Sequence, residues 1–283
     1  MNFAVRIKSI GGMQVKSHNS VKQGLSDYFS TLSVAASSAL NRLNFPSDQE
    51  ALHDFRIHLR SQRVLLNLFP HSRFLRKQRE QLHAAAALTN SQRDLEVAVG
   101  LAKSLMAETQ VGQKQLLFLG EELEATRTKI AVDLQTMQLP HVFMSASLYW
   151  GKKISKQRKH VLQGRARRCS RRLEKCVFKA AKDLQQTSPV YEWHYLRICV
   201  KHLRYWNEGF SAFLTVRQYQ QLPFLIQLQR CLGAVHDYDI FKQIICSDMP
   251  MPDQWLVILE RWQQHALTDA SDLLMHFKKN DRT

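Results

Sequence analysis

His53 to Phe69 reads HDFRIHLRSQRVLLNLF, and steps of +3, +7 and +10 from the histidine reach Arg56, Arg60 and Arg63. At about 100° per residue on a helix, these four side chains fall within an arc of roughly 80°. Leu52, Phe55, Ile57, Leu59, Leu65, Leu66, Leu68 and Phe69 spread over most of the remaining circumference. The spacing predicts a helix buried on several sides and cationic along one edge.

The pattern returns 141 residues later, where His194, Arg197, Lys201 and Arg204 repeat the steps within HYLRICVKHLRYWNEGF. Ile198, Val200 and Phe210 stand where Ile57, Leu59 and Phe69 stand in the first copy. The chain therefore reads as two copies of a unit built around that helix.

Outward from the first stripe, Val21 to Leu43 has helical apolar spacing and closes at Phe45-Pro46. Ser47 with Glu50 three residues on forms a capping-box signature for the stripe helix, and Pro70 ends it. A third helix is expected from about Arg73 through SQRDLEVAVGLAKSL, and a fourth from roughly Gly112 to Leu134, before Leu139-Pro140 breaks the pattern. Residues 19–140 thus make a first four-helix bundle, preceded by a loose leader over 1–18. The second repeat, 141–283, opens with one long helix from about Val142 to Gln186 and continues with the second stripe helix, Tyr191 to Phe213. A seventh helix carries LQRCLGAVHDYDIFKQII, and an eighth runs from about Pro252 to Phe277. The third helices also agree: Arg93-Asp94 aligns with His236-Asp237, with Asp94 41 residues after His53 and Asp237 43 after His194. The expected fold is all-α, two four-helix bundle repeats.

Composition fits this expectation, since glycine and proline number only 10 and 7 and 45% hydrophobic residues are enough for a substantial core. Forty Lys plus Arg against 24 Asp plus Glu give +16, a field that draws polyanions or anionic membranes and repels cationic partners. Five cysteines, an odd number without a CxxC pair, suit a reduced compartment. No window approaches 18 uncharged apolar residues and no signal-peptide core follows Arg6 and Lys8, so a soluble cytoplasmic protein is expected.

Thirteen Lys or Arg and one acid, Glu174, lie between Lys152 and Lys182. Ala166, Cys169, Leu173, Cys176, Val177, Ala180 and Leu184 keep a buried stripe there, leaving charge on the other face. Lys152, Lys156, Arg167, Arg171 and Lys175 fall within a drifting arc of roughly 140°. With Arg93 they form a secondary basic surface if that arc faces the stripes, and a solubilising face if it does not.

Solvated helix faces usually mix signs, and like charges at i,i+4 repel by a few tenths of a kcal/mol. Two such stripes imply a missing counter-charge. A linear polyanion supplies it, because ten helical residues span roughly 15 Å, enough to meet several phosphates. Arginine's fork donates two hydrogen bonds to phosphate oxygens, while Lys201 acts as a point charge. His53 and His194 bind an anion better when protonated, so affinity is expected to strengthen as pH falls through the histidine range. His58 and His202, at +5 and +8 from the stripe histidines, do not make ligand spacing, so neither a metal nor a cofactor is expected. No Gly-rich phosphate loop, magnesium-binding carboxylate pair or nucleophile motif appears, and no catalytic residues are assigned. Asp94 and Asp237 either orient the stripe side chains or make core or capping hydrogen bonds. Nucleic acid shares the electrostatics, but aromatics are not interleaved with the stripes as single-strand binders prefer. It is the alternative reading, ahead of a histidine-dependent phosphohydrolase or phosphotransferase.

H-x-x-R-x-x-x-R/K-x-x-R in both halves, LRYWNEGF after Lys201, and the LxxxxRDLEV and LGAVHDYDI segments resemble the CHAD domains, α-helical domains named for a conserved histidine. The resemblance covers nearly the whole chain beyond the leader. It implies an approximate two-fold relating the halves and a basic groove or channel that binds inorganic polyphosphate, often at polyphosphate granules. Some members carry an N-terminal triphosphate-tunnel domain, but the leader here has no ExExK and no room for one. The expectation is a non-catalytic polyphosphate binder without a specific nucleic-acid or membrane partner. His53, Arg56, Arg60, Arg63, His194, Arg197, Lys201 and Arg204 are its candidate binding residues.

Overall fold

The computed structural model describes residues 20–45, 48 and 50–280, with side chains described for all of these except 20, 246–248 and 276–280. The leader over 1–18, the Ser47 cap and the side chains of Cys246 and Phe277 lie outside the described residues. Among those described the fold is all-α, with eleven α-helices, one 3-10 turn and no strand. They are α1 (Ser20–Arg42), α2 (Ala51–Leu66), α3 (Arg73–Leu88), α4 (Asn90–Thr109), α5 (Gln113–Thr136), α6 (Leu139–Ser155), α7 (Lys159–Ala181), α8 (Val190–Gly209), α9 (Val216–Gln220), α10 (Leu222–Asp248) and α11 (Asp253–Asn280), with the 3-10 turn at Ser211–Phe213 before α9.

Two helices expected to be continuous are broken. The helix expected from Arg73 divides at Thr89, a buried residue. The Ala86 carbonyl accepts 2.9 Å from the Thr89 hydroxyl and 3.3 Å from Arg56 Nη1. A side-chain hydroxyl competing for a helix carbonyl bends or stops the helix, and the stripe arginine locks the break. The long helix expected from Val142 divides over 156–158 into α6 and α7. Lys22 Nζ on α1 donates to the carbonyls of Ser155 and Gln157 at 3.2 and 3.3 Å, satisfying and electrostatically complementing the end of α6. Arg158 then turns extended at φ −72°, ψ 142°. Glu50 itself is the N-cap of α2 and makes no side-chain cap hydrogen bond, and the expected box with Ser47 lies outside the described residues.

Burial divides into three clusters. The first joins α1, α2, α3 and α6 with the ends of α5 and α8, around Phe29, Phe55, Phe143 and Trp150. The second gathers Val177, Trp193, Leu196, Leu228 and Ala270 from α7, α8, α10 and α11. The third packs Leu95, Leu119, Phe241 and Trp255 from α4, α5, α10 and α11. Two buried indoles tie helices together: Trp150 Nε1 donates to the Leu65 carbonyl at 3.0 Å, and Trp206 Nε1 to the Ala166 carbonyl at 3.0 Å. The stripe helices α2 and α8 touch directly, as do α4 and α10, which carry Asp94 and Asp237. The stripes are thereby brought to a common space between the clusters.

Candidate functional site

That space is a cavity of about 1860 Å³, bounded by α2, α3, α4, α7 and α8 and reached by α6 and α10. Eleven lysines and arginines and five histidines line it against three carboxylates, Glu80, Asp94 and Glu96, so its field is strongly positive. Burial of Phe55, Leu59, Leu65 and Leu66 orients α2 so that its other edge, with Arg56, Arg60 and Arg63, lines the cavity. Trp193, Leu196, Val200 and Leu203 do the same for α8, where Arg197 and Lys201 line it.

The side chains are held rather than loose. Arg56 donates through Nη1 to Thr89 Oγ1 and through Nη2 to Asn90 Oδ1 at 3.0 Å. The Arg60 guanidinium lies 3.8 Å from the Tyr205 ring centroid, with Arg204 5.3 Å from the same ring. Such stacking fixes the plane of a guanidinium and leaves its edge free to donate. Gln229 Nε2 holds the Tyr205 hydroxyl at 3.1 Å. Arg93 is occupied: it donates to Asp94 at 2.9 Å and to both Asp237 oxygens at 2.9 and 3.1 Å.

Crowding of like charges in a half-buried space is felt by the ionisations. Burial, then the charges of Arg197, Arg60, Arg56 and Arg63, pull the Lys201 ammonium down to about 8. Burial and then Arg93 bring Arg56 down to about 10. Burial likewise lowers Arg60, Arg63 and Arg197. His236 falls to about 4 through burial and then Arg197, while burial first, then neighbouring cations, depress His194 and His202. Arg93 is the exception. Burial acts to depress it, yet Asp237 and Asp94 together hold it above its ordinary value.

The model of the CHAD domain matches residues 34–245. The chain belongs to the CHAD family. Similar solved structures include the CHAD domain from the plant Ricinus communis, at 15% identity, TM-score 0.67, and 90% and 91% of the two chains covered. PptA from Streptomyces chartreusis is similar at 14% identity and TM-score 0.60, over 93% of this chain and 99% of that one. At these identities they show a shared fold. A comparison with curated proteins finds no match.

In this CHAD domain the cavity gathers His53, Arg56, Arg60, Arg63, Arg93, Arg197 and Lys201. Two stripe members stand apart from its wall. Arg204 pairs with Glu208 at 2.8 Å, one turn along its own helix. His194 is exposed, its ring 5.1 Å from that of His236, which does line the cavity. The first copy has Asn67 where the second has Glu208, and Asn67 Oδ1 instead accepts from Arg79 at 2.7 Å.

The secondary surface is different from the one expected. Lys152, Lys156, Arg171 and Lys175 are exposed and do not line the cavity, while Arg167 Nε donates to the Phe213 carbonyl at 2.9 Å. Lys153, Arg165, Arg168 and Arg172 line it in their place. The reason is rotational: α7 buries Leu162, Ala166, Ser170, Val177 and Ala181, and Cys169 and Leu173 sit on the cavity side of that seam. Arg165 and Arg172 flank those two positions. Arg79, His202 and His236 were also missed; His236 carried a signal, since it aligns with Arg93. Among the described residues, no group of three or more His, Cys, Asp or Glu is placed to hold a metal ion, and no helix is long and apolar enough to cross a membrane.

Proposed function

We propose that this CHAD domain binds inorganic polyphosphate in the basic cavity without chemically changing it, each repeat contributing one stripe, and that it does so at polyphosphate granules in the cytoplasm. The observation that carries the reading is the cluster of Arg56, Arg60, Arg63, Arg197 and Lys201 on one wall system with few carboxylates among them. Folding has brought these charges together at a cost that shows in the lowered ionisation of all five. A repeating anion offsets that cost along its length, through charge-assisted hydrogen bonds and release of its own counterions. The granule setting rests on the family resemblance alone.

A bound polyanion raises the ionisation of every cation it touches, so binding takes up protons. Affinity therefore falls as pH rises through about 8, where free Lys201 loses its proton. It strengthens further at acid pH as His202, on the cavity wall, charges.

The test is a binding comparison of long polyphosphate, tripolyphosphate, RNA and DNA at physiological salt, with Arg60→Ala/Lys201→Ala as the site variant. Long polyphosphate is expected to bind tightest, to resist displacement by either nucleic acid at equal phosphate concentration, and to weaken in the variant. Displacement by RNA would move the assignment to nucleic acid. Phosphate release with magnesium or manganese that disappears in His53→Ala would make the protein an enzyme.

A further inference from the structure

On α8, Tyr191, Tyr195 and His202 share one face within an arc of about 40°. On α7, Arg165, Arg172 and Lys179 share another face within a similar arc. The two helices run antiparallel: the Ala166 carbonyl accepts from Trp206, Ser170 Oγ donates to Asn207 Oδ1 at 2.8 Å, and Val177 and Ala181 pack in one cluster with Trp193 and Leu196. Passing from Arg172 to Lys179 therefore follows the same direction as passing from His202 to Tyr195. Arg165, Arg172 and His202 line the cavity. Lys179 on α7 and Tyr195 and Tyr191 on α8 lie further along the same two helix faces.

The tyrosines at the outer end are exposed, Tyr191 by 70% and Tyr195 by 53%. The Tyr195 hydroxyl shares a hydrogen bond with Cys199 one turn on and lies near Cys176 of α7. An inorganic phosphate chain has no group that gains from an aromatic face. A nucleobase does. Seven helical residues separate His202 from Tyr195, about 10 Å, which is comparable to the reach from the terminal phosphate of a nucleoside triphosphate to its base.

We propose that these two faces form a groove that makes the cavity a site for nucleoside polyphosphates, with the phosphates against Arg165, Arg172 and His202 and the base stacked on Tyr195. Lys179 stands beside the sugar, and Tyr191, one turn further out, covers the base edge. The proposal rests on the reading of the cavity as a phosphate site and adds a base-recognising mouth to it. No bond is made or broken.

The test titrates wild type and Tyr191→Ser/Tyr195→Ser with ATP and with inorganic tripolyphosphate, both in EDTA, by calorimetry. Removing a stacking platform weakens binding by about tenfold. The expected result is that loss for ATP in the variant, with tripolyphosphate affinity unchanged, and Arg172→Ala weakening both ligands. ATP affinity that is equal in wild type and variant overturns the proposal while leaving the phosphate reading intact, as does equal weakening of both ligands. Tyrosine-dependent binding seen with oligoadenylate but not with ATP also overturns it. Failure of tripolyphosphate to bind wild type removes the phosphate reading and this one with it.

Discussion

Lys201→Met separates the cost of building the basic cavity from its use. The native ammonium has an ordinary value of 10.5 and is brought down to about 8 in the folded chain, first by burial and then by four arginines. A base whose folded value is depressed disfavours folding while it is charged. The penalty is fully present below pH 8, fades as pH rises from 8 to 10.5, and is gone above. The full shift corresponds to about 3 kcal/mol at pH 7. Because Lys201 is only half-buried, solvent screening reduces this to about 2 kcal/mol. Methionine keeps the length of the stem and drops the charge, so Lys201→Met is expected to be more stable at pH 7 by that amount, raising Tm by about 4–8 °C. Polyphosphate affinity should move the other way by about tenfold or more, since a charge-assisted contact contributes roughly 1.5–3 kcal/mol. Thermal melts at pH 7 and pH 10 with and without polyphosphate read both effects. A lower Tm for the variant at pH 7, or a stability gap of equal size at pH 10, would refute the argument that Lys201 is held in an uncompensated field.

Arg172→Ala, on the cavity wall, should make the salt dependence of polyphosphate binding shallower by nearly one charge, whereas Arg171→Ala, on the outer flank of α7, should leave the slope unchanged. Thr89→Val keeps the volume but removes the hydroxyl shared by Ala86 and Arg56; it should cost about 1–3 kcal/mol in denaturant unfolding and weaken polyphosphate binding by freeing Arg56. Gly112→Ala should destabilise the α4–α5 turn by more than about 2 kcal/mol in the same assay, because the residue sits at φ +99° and an added Cβ would collide with the Trp255 ring.

How much of this was legible depended on what each feature answers to. The all-α class followed from helical spacing that packing needed, and the stripe on α2 from the arginine edge that its apolar residues left over. The break at Thr89 had a local signal in Thr89-Asn90-Ser91, residues that favour caps over helix interiors, but the apolar period across it was strong enough to mask the signal. The break before α7 had none: there is no glycine or proline over 156–158, and the α6 end is held by Lys22 from more than a hundred residues earlier. The rotation of α7 was hidden for a related reason. Both flanks of that helix are arginine-rich, and only the choice of Leu162, Ala166 and Ser170 as the buried seam decides that Arg165 and Arg172, rather than Arg167 and Arg171, line the cavity. Arg204 was misplaced because spacing records direction but not partners, and Glu208 lies one turn away.

The pairing at the α4–α10 contact limits how far the cationic surface extends. Arg93 of α4 and Asp237 of α10 join through hydrogen bonds at 2.9 and 3.1 Å, which close the cavity wall with a neutralised arginine. His236 aligns with Arg93 in the sequence, and burial and then Arg197 drive off its proton until about pH 4. At neutral pH this end therefore presents an already satisfied arginine and an uncharged imidazole, while the Arg60, Arg63 and Lys201 end keeps its charges unanswered. An anion gains most by lying toward α2, α7 and α8. The difference between these two aligned sequence positions, one arginine against one histidine, thus gives the field of the cavity a direction.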